Sequence, residues 1–284
     1  MRLSTRYLPR PYPDELIYSI IARCGLHMGV RSPKALLQYT VGSRQIVAST
    51  DLQGRLSCLE WAIVGTWRMT VEQAVRAHTL LPYYVAYRTT ADKKRFTAAL
   101  LADRPQFLHV ELGICAGTVR LSPVMRFCPA CSAEDVARYG ETYWRRLHQI
   151  PGVVVCPEHQ VVLHDTSVPA RSPRRHDFTA LTVQVIERSR PALTLTASEM
   201  DLAVVVAQRS RALLDDGCSR QRAQCRAMFQ NKLRERALFE GDGRLSHIDA
   251  AFRAFYGDVL IGQFETVPVG ADGLSWLKAL AYTT

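Results

Sequence analysis

The chain has 284 residues, 48% hydrophobic and 22% charged, a globular composition that excludes wholesale disorder. This length predicts two or three compact units rather than one small core. The formal charge of +10 favours a polyanionic partner, nucleic acid first. Neither an apolar leader after Met1 nor a run of about 18 apolar residues is found, so we expect a soluble intracellular protein and no membrane partner.

The N-terminal part opens with a pair of predicted helices. Arg10–Pro13 reads as extended, and Asp14 is the predicted N-cap of a helix whose apolar residues from Leu16 to Cys24 share one face. Ser32 and Pro33 predict the start of a second helix, as N-cap and first helical residue. The pattern fits a helix-turn-helix and an ordinary helical hairpin equally well.

Further helical patterns fill the rest of this half. Residues 56–64 are apolar with a helical period, a capping box at 70–73 opens a helix through His78, and residues 91–102 form another helix. No βαβ unit, phosphate loop or nucleotide fingerprint is found in this half. We therefore predict an all-α N-terminal domain over residues 1–117.

The central part carries the ligand pattern of a metal site. Cys128-Pro-Ala-Cys131 and Cys156-Pro-Glu-His159 form two knuckles, each with two residues between its ligands and Pro after the first Cys. Three thiolates and one imidazole at this spacing are typical of tetrahedral Zn²⁺, and four protein ligands leave no open position. We predict one structural zinc per chain, in a zinc ribbon with small β-strands over residues 118–166.

The predicted short strands of this part are 119–121, 153–155 and 161–163, and His164 is a reserve ligand. The remaining cysteines do not form a disulfide framework in an intracellular chain. Cys24 and Cys58 lie in apolar helical patterns and are expected to be buried, whereas Cys218 and Cys225 are structural or incidental.

A zinc-dependent deaminase or hydrolase is the remote catalytic alternative. His109-Val-Glu111 followed by the first knuckle is reminiscent of a deaminase signature, in which His and two Cys hold the zinc and Glu moves protons. The fit is poor, because Phe127 stands where the signature has Pro and because Cys156 and His159 would have no role. No other catalytic motif is present, so the chain is predicted not to be an enzyme.

The C-terminal part is predicted to be helical after a linker. Residues 167–197 are rich in Pro, Ser and Arg and read as a linker with one strand over Leu181–Ile186. Ser198 is the predicted cap of a helix through Leu214 in a domain that spans 198–284. Two later helices, the second of which begins at Ser246, form the clearest helix-turn-helix pattern. Its predicted apolar stripe consists of Ile248, Ala251, Phe252 and Phe255.

Positive charge is concentrated in this domain. Residues 207–236 hold eight Arg or Lys against three acids, which fits either a solvated helix face or a DNA-binding surface. His247 and Arg253 lie off the apolar stripe of the last helix and are expected to reach base edges. The predicted DNA-binding residues are Arg209, Arg211, Arg220, Arg222, Arg226, Lys232, Arg234, Arg236, Arg244, His247 and Arg253.

These pieces together resemble the TniQ/TnsD family of transposon target-selection proteins. The resemblance is strongest over residues 10–165. Its motifs are Pro11-Tyr12-Pro13-Asp14-Glu15-Leu16-Ile17-Tyr18-Ser19 with Ala22-Arg23, Ser32-Pro33-Lys34, His78-Thr79-Leu80-Leu81-Pro82, Arg126-Phe127-Cys128-Pro129-Ala130-Cys131, Tyr139-Gly140-Glu141, Tyr143-Trp144 and Cys156-Pro157-Glu158-His159.

The resemblance implies a non-catalytic adaptor in the bacterial cytoplasm, associated with the nucleoid. Such proteins recognise a target and recruit an AAA+ regulator of the TnsC type; the target is double-stranded DNA at an attachment site or, alternatively, a CRISPR RNA-guided complex of the Cascade type. Tyr12, Glu15 and Arg23 are the partner-binding residues it points to. Gln160 departs from the Gly that often follows the last ligand in the family. The chain is also shorter than most TnsD proteins, which fits either a short natural form or a piece of a longer protein.

Overall fold

The structure is a computed structural model that describes residues 6–102, 108–114, 122–215, 217, 222–235 and 246–264. The predicted strand 119–121 and the basic residues Arg220, Arg236 and Arg244 lie outside these ranges. The side chains of Arg222, Arg226 and His247, and of 248–252, are likewise outside the description.

The described chain is mainly helical, which confirms the predicted class. The α-helices are α1 (Ile17–His27), α2 (Pro33–Val41), α3 (Glu60–Ile63), α4 (Val71–His78), α5 (Leu81–Tyr84), α6 (Thr90–Leu101), α7 (Leu108–Glu111), α8 (Pro129–Tyr139), α9 (Val183–Glu187), α10 (Ala197–Asp215), α11 (Arg222–Glu235) and α12 (Ser246–Phe264). Two short 3₁₀ turns lie at Leu56–Leu59 and Leu147–Gln149. None of the helices in the described ranges combines the length and apolar character that crossing a membrane requires.

In the described ranges, two small antiparallel sheets accompany the helices. The strands are β1 (Val124–Phe127), β2 (Val155–Cys156), β3 (Val161–Val162), β4 (His164–Pro169) and β5 (Arg190–Pro191). One sheet has the order β1-β4-β5 and the other pairs β2 with β3. In the first sheet Phe127 pairs with His164, and in the second Cys156 pairs with Val161.

Local sequence signals account for the helices of the N-terminal half. The Oγ of Ser32 accepts a hydrogen bond from the Ala35 amide, with Pro33 at the first helical position, as predicted. Thr70 and Gln73 form the predicted reciprocal capping box at the start of α4. Both predictions are confirmed because they depend only on residues three apart.

Asp14 does not cap α1, contrary to the prediction. The N-cap is Leu16, without a side-chain hydrogen bond, and Asp14 adopts a left-handed conformation with φ of 60°. The Asp14 carboxylate instead accepts hydrogen bonds from the Arg146 guanidinium at 2.9 Å and the Leu147 amide at 3.1 Å. A buried guanidinium distant in sequence therefore competes successfully with the local helix end.

Two predictions between β4 and α10 are wrong. The predicted strand at 181–186 is mostly helix, since α9 runs over 183–187. The cap of α10 is formed by Thr196 and not by Ser198: the Glu199 carboxylate accepts from the Thr196 amide at 2.9 Å, and the Glu199 amide donates to the Thr196 hydroxyl. Thr-x-x-Glu is a capping box, a stronger start signal than a single Ser.

Buried side chains form three hydrophobic clusters. The largest joins α1 and α2 to the helices through α7, for example by Ile20, Leu37 and Phe96. A second surrounds the predicted zinc ligands, and a third packs Leu16 and Tyr18 against Trp144 and Leu181. The predicted domain boundaries stay predictions, but residues on both sides of them share these clusters.

The two predicted helix-turn-helix motifs also stay predictions. The segment between α11 and α12 lies outside the described residues, and α12 has a non-helical Gly257 with φ of 74°. Phe255, expected in the apolar stripe of α12, is 61% exposed, whereas Leu260 and Ile261 are each 2% exposed. Among the described side chains of α12, the buried ones lie beyond the kink, whereas the side chains of Ile248, Ala251 and Phe252 lie outside the described residues.

Candidate metal centre

Cys128, Cys131, Cys156 and His159 converge as the sequence predicts. One donor atom from each lies within 4.8 Å of all the others. The Cys131 Sγ is 3.6 Å from the Cys156 Sγ and 3.3 Å from the His159 Nδ1. Tetrahedral Zn²⁺, with Zn–S of about 2.3 Å and Zn–N of about 2.0 Å, places its ligand atoms about 3.5–3.8 Å apart. The donor set and its spacing therefore fit zinc.

The first knuckle is the start of a helix. Cys128 directly follows β1 and is the N-cap of α8, and its Sγ accepts a hydrogen bond from the Cys131 amide at 3.5 Å. Hydrogen bonds from the Cys131 and Cys156 thiols outweigh burial and, with the amides of Cys131 and Ala130, lower the pKa of Cys128 to about 3. The neighbouring thiols, and to a smaller extent the amides at the helix N-terminus, thus favour the thiolate form of Cys128 that binds metal.

The second knuckle is the turn of a hairpin. Cys156 ends β2 and Val161 begins β3, with Gln160 in a left-handed conformation of φ 53°. Glycine adopts this conformation without strain, so the Gly that the resemblance leads one to expect here would be less strained than Gln160. Only this knuckle joins two paired strands; the first leads into α8, so the predicted zinc ribbon is half helical.

Two residues missed by the sequence analysis support the ligands. The Nε2 of His159 is 3.0 Å from the Glu134 carboxylate, which raises the pKa of the imidazole and directs its Nδ1 towards the thiols. His148 is 2% exposed, and burial lowers its pKa while the nearby Cys156 thiol raises it. Glu134 lies on α8, six residues after Cys128, a weak signal in the sequence.

The metal centre lies inside a core shared by distant parts of the chain. Buried residues around the thiols include Leu80 from the N-terminal helices, Ala207 from α10 and Leu260 from α12. The Glu158 carboxylate of the second knuckle also forms an ion pair with Arg211 of α10. A metal ion bound here would therefore hold the N-terminal helices and the C-terminal helices α10 and α12 against the same buried cluster.

This arrangement supports a structural rather than a catalytic metal. Four protein ligands close a tetrahedral ion, so no position remains for water or substrate. The deaminase alternative fails on geometry: the Nε2 of His109 is 3.0 Å from the Asp51 carboxylate, and Glu111 pairs with Arg95. His164, the reserve ligand, contacts the Ser189 hydroxyl instead.

The predicted partner-binding residues form a largely internal network. Arg23 pairs with Glu15 and with Glu141, each at 2.7 Å, and its guanidinium stacks 4.0 Å over the Tyr12 ring. Glu15 is 0% and Arg23 2% exposed, so both charges have a structural role here. Burial raises the pKa of Glu15 to about 7. Contact with a partner stays a prediction, for which Tyr12 is the more accessible residue of the three.

Arg146 joins three parts of the chain. Its guanidinium binds the Asp14 carboxylate at 2.9 Å, the Arg76 carbonyl at 2.6 Å and the Asp215 carboxylate at 3.4 Å. The adjacent Trp144 is 0% exposed, and its indole donates to the Thr179 carbonyl. The stretch Tyr143-Trp144-Arg145-Arg146, which is aromatic and basic, therefore forms an interior junction.

The predicted DNA-binding residues are only partly visible. Arg209 is exposed on α10, as are Lys232 and Arg234 on α11. Lys232 pairs with Glu235 at 2.9 Å, and Arg253 pairs with Asp258 at 2.7 Å. DNA binding by these residues stays a prediction.

The fold and donor set define a mainly helical protein with a Cys₃His cluster that could hold a metal ion. The sequence profile described as TniQ matches residues 6–163, more than half of the chain and all four ligands. The chain therefore belongs to the TniQ family. It is also 35% identical over 177 residues to the transposon Tn7 transposition protein TnsD of Escherichia coli. That match covers 62% of this chain but 34% of the relative, so the chain matches about a third of the relative's length.

Proposed function

We propose that this chain is a transposition target-selection factor, which binds double-stranded DNA at an attachment site and recruits an AAA+ regulator of the TnsC type. The similarity to a Tn7 transposition protein, 35% identity over 177 residues, carries the proposal. The formal charge of +10 supports a DNA partner. In this proposal the chain connects the DNA to the regulator and catalyses no reaction, in line with a metal site whose four protein ligands leave no open position.

In this proposal the zinc keeps two recognition surfaces in a fixed relation. Leu80 and Ala207 contact the same buried cluster as the metal thiols, so the N-terminal helices and α10 move together. Exposed basic residues such as Arg209 on α10 and Lys232 on α11 would contact phosphates. The N-terminal helices would then face the regulator.

The second candidate is an adaptor that links an RNA-guided complex to the transposition ATPase without reading DNA sequence. Several predicted DNA-binding residues are engaged within the chain: Arg211 pairs with Glu158, Lys232 with Glu235 and Arg253 with Asp258. A paired guanidinium or ammonium gains less from a phosphate, which favours this candidate.

Duplex binding at two salt concentrations separates the candidates. A DNA-binding factor that neutralises four phosphates should lose about a hundredfold in affinity between about 50 and 200 mM salt. In a plot of log affinity against log salt concentration, Arg209→Ala should reduce the slope by the contribution of about one phosphate contact. Arg31→Ala removes an exposed arginine just before α2 and is the matched control. Absent or salt-independent binding would reject the DNA-binding function and leave the adaptor.

A further inference from the structure

An open surface pocket lies where three parts of the chain meet. It has a volume of about 440 Å³ and is lined by Arg68, Gln73 and Arg76 at α4, by Arg146, and by Asp215 at the end of α10. None of these residues belongs to the metal centre or to the predicted DNA-binding set. Three guanidinium groups thus surround one cavity.

Among the described residues, two of the three guanidinium groups have no carboxylate counter-ion. Within the described part of the chain, neither Arg68 nor Arg76 forms an ion pair with a carboxylate, and both side chains are exposed. Arg68 also adopts a left-handed backbone conformation with φ of 59°, a strained choice for a non-glycine residue. Arg146 differs, since Asp14 neutralises it at 2.9 Å.

Asp215 is the internal anion of this pocket. It is the last residue of α10, where a negative charge opposes the helix dipole. Arg76 donates to its backbone carbonyl at 2.8 Å, whereas its carboxylate reaches Arg146 only at 3.4 Å. The carboxylate is 51% exposed. It is therefore held loosely, and a stronger anion can replace it.

We propose that this pocket binds a phosphate group, which displaces the Asp215 carboxylate and engages Arg68 and Arg76. Guanidinium groups match phosphate oxygens in geometry and charge, and a phosphate offers more acceptor oxygens than one carboxylate. This proposal does not depend on the target-selection function, because it is argued only from the charges and geometry of the pocket residues. The phosphate can come from a DNA backbone, a nucleotide or free phosphate.

The test is titration of the full chain with inorganic phosphate at constant ionic strength, followed by ³¹P resonance. Saturable binding is expected. Arg76→Ala should weaken it about tenfold, the loss of one charge-assisted hydrogen bond at an exposed site. Asp215→Asn should strengthen it severalfold, because the competing charge is removed. Arg31→Ala, on the turn before α2, is the control and should leave it unchanged.

Three results would overturn the site: no saturable binding, equal effects of Arg76→Ala and Arg31→Ala, or weaker binding by Asp215→Asn. Competition then identifies the source. A nonspecific duplex and a nucleoside triphosphate are each tested for displacement of bound phosphate. The competitor that displaces phosphate and binds more weakly to Arg76→Ala is the source of the phosphate group that the pocket binds. If neither competitor does so, free phosphate is the ligand. Phosphate binding with no duplex binding at any salt would reject the DNA-binding function alone.

Discussion

Removal of the Glu134 carboxylate should weaken zinc binding without touching a ligand. Glu134 accepts a hydrogen bond from the His159 Nε2 at 3.0 Å and so fixes the ring with its Nδ1 towards the three thiols. In Glu134→Ala the imidazole can rotate and its basicity falls. Glu134→Gln keeps an acceptor oxygen without the charge, so its zinc affinity should lie between those of Glu134→Ala and the native chain.

The magnitude follows from the exposure of the pair. Loss of such a partner typically costs 10- to 100-fold in metal affinity, a rough range. Glu134 is 68% exposed and His159 20% exposed, so water replaces part of the lost hydrogen bond. The lower end applies, about tenfold or about 1.4 kcal/mol.

Competition with a chromophoric chelator measures this affinity directly. Glu187→Gln, an exposed acid at the end of α9, is the matched control and should bind zinc as the native chain does. Equal affinities for Glu134→Ala and the control would refute the reasoning, because the hydrogen bond would then have no influence on the metal.

Three further predictions concern the metal, the core and pH. Cys131→Ser should lose the one zinc ion per chain and the cooperative thermal transition. A chain that metal analysis shows to be free of zinc, but that is well folded, would contradict this prediction. Trp144→Ala should cost about 3–5 kcal/mol in denaturant unfolding, since the ring is 0% exposed, whereas Val136→Ala, 50% exposed, should cost little. Although burial raises it, hydrogen bonds from arginine, histidine and tyrosine partners lower the pKa of Glu141 from 4.5 to about 2. Its carboxylate therefore stabilises the fold above pH 4.5, and this contribution is lost as the pH falls towards 2. Glu141→Gln lacks the titrating carboxylate, so its thermal midpoint should fall less steeply over this pH range than that of the native chain. Acid releases zinc from both proteins, so zinc loss affects both curves. Identical slopes of thermal midpoint against pH would exclude the linkage.

The metal ligands could be predicted from sequence because each knuckle is a local feature. Two residues between ligands and a Pro after the first Cys define a tight turn whatever the rest of the chain does. Residues 134–139 alone fit a helical pattern in the sequence, yet α8 begins at Pro129, which is itself a start signal at the first helical position. The sequence therefore predicted the convergence of these four residues, and the surrounding fold in part.

The long-range network could not be predicted. Asp14 reads as a helix cap, yet its carboxylate binds Arg146, 132 residues away. The resemblance points to Glu15 and Arg23 as partner-binding residues, and charged side chains are mostly exposed, but these two bury each other's charge. Pairings of this kind depend on tertiary contacts, which neither periodicity nor spacing reveals.

Retention of the regulator on DNA tests the central claim most directly. Immobilised target duplex is incubated with an AAA+ regulator of the TnsC type, with or without this chain, and the retained regulator is measured. The account predicts that the regulator is retained well above background only when the chain is present, and that the zinc-free Cys131→Ser chain does not support retention. Equal retention with and without the native chain would contradict the bridging function.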